Sequence, residues 1–231
     1  MINWWPYARL AAAALGLAAI IRQLTLAIGN ALRADTAWAG HVPTVVANFF
    51  SYFTILSNLI AVATLIIAAV WMLRTRPSTQ AEPPWLATLL VCASTYMIVT
   101  GIVYNALLRH ISIAGISDVW TNETLHVVIP LAMLADVLFA PRRRSMPWRT
   151  VLTTAAFPIV WAVYTLVRAN FITAPATGTP WWYPYPFLDP NLPGASYLTV
   201  IGYIVGIAAA IIAVAAFVVW VGRRRGDAPD I

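Results

Sequence analysis

The groups in this sequence that could do chemistry lie inside apolar runs, where polar side chains are costly. Asn48, Ser51, Thr54, Ser57 and Asn58 recur at three- and four-residue spacing in one such run. Residues so spaced share a helix face, so these five predict a polar stripe pointing into a bundle. In a later run, Asn122 and His126 stand one turn apart with Glu123 beside them. Histidine is rare at membrane depth and titrates near neutrality, which makes His126 the side chain hardest to account for by packing. A hydroxyl beside an imidazole is the minimum set for nucleophilic acyl transfer, because the imidazole takes the proton as the oxygen attacks. Each group also has an ordinary use. Membrane Ser and Thr bond back to the carbonyl one turn earlier, and Ser51, Ser57 and Asn58 suit contacts between helices. Arg22 can snorkel to headgroups, Glu123 is near enough to the interface to be solvated, and Asp136 suits pairing with a loop arginine.

Other chemistries find no support. The three histidines sit on three segments with no i, i+4 pair, which argues against haem or zinc, and no cofactor or metal is expected. His41 and His110 fall in loops. Neither a Gly-x-Ser-x-Gly elbow nor a phosphate loop occurs. A single cysteine, Cys92, excludes an intramolecular disulfide.

The elements that position these groups follow from composition. The 231 residues are 61% hydrophobic and 10% charged, with mean hydropathy +0.78. A soluble domain would need more polar surface, so the excess apolar sequence faces lipid. About 20 apolar residues cross a bilayer, and on that rule the chain is an all-α polytopic membrane bundle of about six helices. The predicted spans are 7–28, 45–73, 85–108, 119–140, 148–167 and 197–221, in one transmembrane domain with a short arginine-rich tail at 222–231. The first run is read as a retained helix and not a cleaved signal. The second span is longer than a perpendicular crossing needs, so it tilts or starts in the interface.

All 14 basic residues are arginine, and they flank apolar runs instead of forming an aromatic-interleaved basic face, which argues against nucleic acid. Arg74 and Arg76, then Arg142, Arg143, Arg144 and Arg149, then Arg223, Arg224 and Arg225 occupy alternate connections. By the positive-inside rule these connections and both termini are cytoplasmic. Thr54 then lies about 14 Å below Val45, and His126 about 10 Å below Val119, both in the outer half of the bilayer. Arg22, Tyr104, Asn105 and Arg168 reach the same layer. The one long outer loop, Asn170 to Ser196, is stiffened by proline and rich in aromatics, either a passive interfacial segment or a lid.

Three patches resemble the androgen-induced and androgen-dependent family of multipass membrane threonine hydrolases. Phe53-Thr54-Ile55 is similar to the family's nucleophile segment. Asn122-Glu123-Thr124-Leu125-His126, with Pro130 after it, resembles its Asn-x-x-x-His segment. Tyr185-Pro186-Phe187-Leu188-Asp189 resembles the Tyr-Pro-Phe-Leu-acid stretch before the last helix. The resemblance implies a six-helix bundle and cleavage of esters between fatty acids and hydroxy fatty acids, with Thr54 as nucleophile and His126 as base. Ser57 and Asn58 depart from the animal members, which bears on the substrate. Asn122, Asn58 and Arg22 are candidate oxyanion donors; Ser51, Glu123, Tyr104, Asn105, Tyr185 and Phe187 are further candidates for substrate contact. The expected partners are a lipid substrate and the membrane, with no obligate protein partner. The Ala- and Arg-rich, Lys-free composition suits a GC-rich bacterium, hence a bacterial plasma membrane. The alternative is a non-catalytic carrier that holds a lipid or small amphiphile on the same polar layer.

Overall fold

Backbone groups in hydrocarbon must be satisfied within their own segment, so apolar runs of this length close their hydrogen bonds as helices. The computed structural model describes residues 4–75, 80–111 and 117–225, which are all helix and irregular loop. Arg76, used in the arginine count above, and the last six residues of the tail lie outside the described residues. Six helices are long and apolar enough to cross a membrane: Trp5–Leu32, Phe53–Arg74, Pro84–Leu108, Val119–Phe139, Thr150–Ala169 and Tyr197–Arg225.

In chain order, α1 is Trp5–Leu32, α2 Val42–Phe49, α3 Phe53–Arg74 and α4 Pro84–Val103. The fourth crossing is divided into α5 (Val119–Glu123) and α6 (Ile129–Phe139), while α7 is Thr150–Ala169 and α8 Tyr197–Arg225. Two widened π-helical turns interrupt the regular ladder, Tyr104–Leu108 at the end of α4 and Thr124–Val128 between α5 and α6. Helix α1 packs mainly on α3, α3 on α4, and α4 on both α6 and α8, which α7 flanks. Ala13, Ala61, Val62, Leu65, Ala93, Met97, Ile129 and Met133 form the central core cluster. Its alanines let the backbones approach closely, and that contact holds membrane helices together where lipid is as apolar as leucine.

The second crossing corrects the sequence reading. The run 45–73 is not one tilted helix. It breaks after α2, and Tyr52 caps α3 in an extended conformation. Asn48 and Ser51 therefore leave the stripe, and Thr54 moves from mid-helix to the first turn of α3. Bulky aromatics at 49, 50, 52 and 53 weaken local helix preference. Tertiary partners satisfy the groups the break exposes. The Trp161 indole N–H donates to the Ser51 carbonyl at 2.9 Å, and the Thr54 N–H donates to the Tyr185 hydroxyl at 3.1 Å.

At the end of the bundle that holds the start of α1 and the end of α8, the charges interlock. Arg9 donates to Asp136 through Nε at 2.7 Å and Nη2 at 3.0 Å, and the Trp5 indole donates to the same carboxylate at 2.8 Å. Arg143 reaches Asp136 at 3.4 Å and Arg9 reaches Glu82 at 3.5 Å. All four charged residues are buried. Asp136 does meet Arg143 from the loop, but its closest cation is Arg9 of α1. Burial pushes the Glu82 carboxyl above its usual range, opposed by the nearby Arg143 and Arg9.

Candidate active site

Thr54 and His126 meet. The threonine Oγ1 is 3.3 Å from His126 Nε2. The other ring nitrogen, Nδ1, is 2.9 Å from the carbonyl oxygen of Asn122. A carbonyl only accepts, so Nδ1 of the neutral ring carries the hydrogen and Nε2 presents its lone pair to the Thr54 hydroxyl. In this arrangement a backbone carbonyl orients the imidazole, as a carboxylate does in serine-hydrolase triads. His126 belongs to the π turn Thr124–Val128, and widened turns commonly mark functional positions. On its other side the ring stacks against Tyr104, centroids 4.1 Å apart. The Asn122 side chain donates to the Tyr104 hydroxyl.

Close helix approach underlies this geometry. A Cβ at Gly101 would stand 2.9 Å from the Pro130 Cβ and 3.4 Å from the His126 carbonyl oxygen. Neither a proline ring nor a main chain can yield readily. Gly101→Ala should therefore part α4 from the histidine segment and destabilise the fold by about 1–3 kcal/mol. A thermal melt in detergent checks this, and an unchanged melting temperature would contradict the close contact.

Thr54 itself is buried. As a first-turn residue of α3 it sits among amides with no intrahelical acceptor, at the positive end of the helix dipole. That position favours negative charge developing at or beside Oγ1. A third group completes the contacts: the Tyr185 hydroxyl is 3.2 Å from Thr54 Oγ1.

The other candidates divide clearly. Asn58 is buried below Thr54 and donates to the carbonyls of Thr54 and Leu125, tying α3 to the histidine segment. Ser57 bonds back to the Thr54 carbonyl and meets the Thr100 hydroxyl at 3.2 Å. Ser51 donates to the Ala47 carbonyl and lies 3.1 Å from the Tyr164 hydroxyl. Asn48 accepts from Arg168. Arg22 is exposed and paired with Asp118 at 2.7 Å. Asn105 is exposed and engages Gly101 and Arg109, and Glu123 pairs with Arg109 at 3.1 Å. Among the predicted residues, then, Thr54, His126, Asn122, Asn58, Tyr104 and Tyr185 come together, whereas Arg22, Asn105 and Glu123 face other partners.

An apolar cavity opens from Thr54, with about 800 Å³ of unfilled space, part of it continuous with the surroundings. Tyr104, Tyr185 and Phe187 line its polar end, and Pro158, Ile204, Ile207 and Ile211 line the far part between α7 and α8. Sequence reasoning did not single out these α8 isoleucines, which are indistinguishable from lipid-facing ones in a uniformly apolar run. Gly101 carried a weak signal, as a glycine inside an apolar span. No known family, no curated protein and no solved structure matches this chain.

Proposed function

We propose that this protein is a membrane-embedded hydrolase of lipid esters, with Thr54 as nucleophile and His126 as general base. The observation that carries the reading is the 3.3 Å approach of Oγ1 to Nε2 at the polar end of an apolar cavity. Oγ1 attacks the ester carbonyl carbon while its proton passes to Nε2. The tetrahedral intermediate collapses, the alcohol leaves with the proton held by His126, and an acyl-threonine remains. Water then attacks the acyl carbon, giving its proton to Nε2. Collapse releases the acid and returns the proton to Thr54. A threonine hydroxyl is a weak nucleophile near neutral pH, so the reading requires the imidazole.

The substrate is an ester with a long apolar acyl chain. The cavity beyond Thr54 offers almost no hydrogen-bonding partner, and an aliphatic chain needs none. Esters of fatty acids with hydroxy fatty acids fit, in keeping with the family resemblance. The arginine distribution supports a site in the outer leaflet, which a lipid would reach sideways between helices. A non-catalytic lipid carrier would use the same cavity, and chemistry separates the two. A fluorophosphonate probe should label the purified protein at Thr54, and Thr54→Ala should abolish both labelling and ester hydrolysis. Labelling that survives Thr54→Ala, or lipid binding without turnover by the wild type, would reject the hydrolase.

A further inference from the structure

We infer that Tyr185, carried by the loop between α7 and α8, is a third catalytic residue that donates the hydrogen bond to the oxyanion of the tetrahedral intermediate. The inference rests on the Thr54–His126 reading and adds the group that reading lacks. Acyl transfer places a full negative charge on the former carbonyl oxygen, one carbon away from Oγ1, and a fixed donor there is often the largest single contribution to rate.

The donors expected to serve are occupied. Asn58 gives its amide hydrogens to main-chain carbonyls, Asn122 donates to Tyr104, and Arg22 is paired with Asp118 at the surface. The Tyr185 hydroxyl is differently placed. Its oxygen accepts the Thr54 N–H, which leaves its own hydrogen free to donate on the side of Oγ1, 3.2 Å away. As Oγ1 bonds to carbon it gives up its place as acceptor, and the new oxyanion lies within reach of the same O–H. In the resting state that O–H donates to Oγ1, so its orientation is set before substrate arrives.

The phenol is also held rigidly and dry. Its ring stacks on Phe187, centroids 5.2 Å apart and planes 4° apart, and Tyr52 meets it edge-on at 5.6 Å. The loop is anchored nearby by the Trp182 N–H, which donates to the Ala169 carbonyl at 2.9 Å. Burial raises the Tyr185 hydroxyl above its ordinary titration range, with the bonds to Thr54 opposing, so it keeps its proton across the neutral range. The outer loop is on this view part of the catalytic machinery and not a passive segment.

The test is Tyr185→Phe, which keeps the ring and removes the donor. With a p-nitrophenyl ester of a medium-chain acid, kcat should fall by about 10²–10³-fold, with KM changed less than about threefold. An alkyl trifluoromethyl ketone, which forms a hemiketal oxyanion on Thr54, should lose affinity by a similar factor. The matching secondary alcohol, which forms none, should bind equally to both proteins. If Tyr185 merely caps α3, the variant should lose melting temperature and bind both ligands less well. That outcome overturns the inference, as does unchanged kcat with unchanged ketone affinity. Thr54→Ala run beside it separates the layers: hydrolysis surviving Thr54→Ala removes the underlying reading, whereas hydrolysis lost there but intact in Tyr185→Phe removes the tyrosine's role alone.

Discussion

His126→Ala should slow ester hydrolysis by between about 10² and 10⁴-fold, the range that a positioned general base supplies. On the proposed mechanism the imidazole and the Thr54 hydroxyl act as one unit, so the double variant with Thr54→Ala should be no slower than the slower single variant. Independent contributions would instead multiply. The pH profile gives a second reading. Only the neutral ring accepts a proton, and the Asn122 carbonyl at Nδ1 fixes which nitrogen does so. Wild-type kcat/KM should therefore rise with pH through the titration of His126, and the residual rate of His126→Ala should lack that limb. Steady-state kinetics across pH on protein in detergent decide the matter. Wild-type rates in His126→Ala, or the same acid limb in both proteins, would sink the assignment.

How far this site was legible in the sequence depends on where each determinant sits. Span positions follow from local hydrophobicity, so 85–108 and 119–140 lie within a residue of the observed crossings Pro84–Leu108 and Val119–Phe139. The spacing of Asn122 and His126 was equally local, one helical turn, and the bond between His126 Nδ1 and the Asn122 carbonyl spans that turn. The break before α3 was not legible, because what stabilises it is remote. Trp161 and Tyr185 lie 110 and 131 residues from the atoms they satisfy. The same holds for Tyr185 as a neighbour of Thr54, since no periodicity in a loop says which helix it will touch. Helical rise from Val45 and Val119 put Thr54 and His126 at similar depths. The break before α3 removes the continuous helix on which the first figure was counted, and the contact itself required that α3 and the histidine segment face each other. The Asn58 bond to the Leu125 carbonyl fastens that pairing. The wiring of the charged end was not legible from arginine counts, because Arg9 and Glu82 took no part in them and Arg9 meets Asp136 and Glu82 only once α1 has packed.

That wiring carries the second large expectation. Asp136→Asn keeps the size of the side chain and removes its charge, leaving Arg9 and Arg143 buried with Glu82 as the remaining anion of the cluster, 3.5 Å from Arg9. Removing one partner from a buried ion pair costs about 3–5 kcal/mol, because the stranded charge is neither solvated nor matched. For a chain of this size the melting temperature should fall by on the order of 10 °C, read in detergent by thermal unfolding. An exposed pair makes the control. Arg109 and Glu123 are 39% and 37% exposed at their side chains, so Glu123→Gln should shift stability by no more than about 1 kcal/mol. Adding Arg9→Met to Asp136→Asn removes a stranded cation along with the missing anion. The double variant should therefore be less damaged than the sum of the two single changes, since the partners share one interaction. Strict additivity, or an Asp136→Asn protein as stable as the wild type, would mean that water reaches these charges and that the interlock between α1, α6 and the loops at this end of the bundle contributes little to the fold.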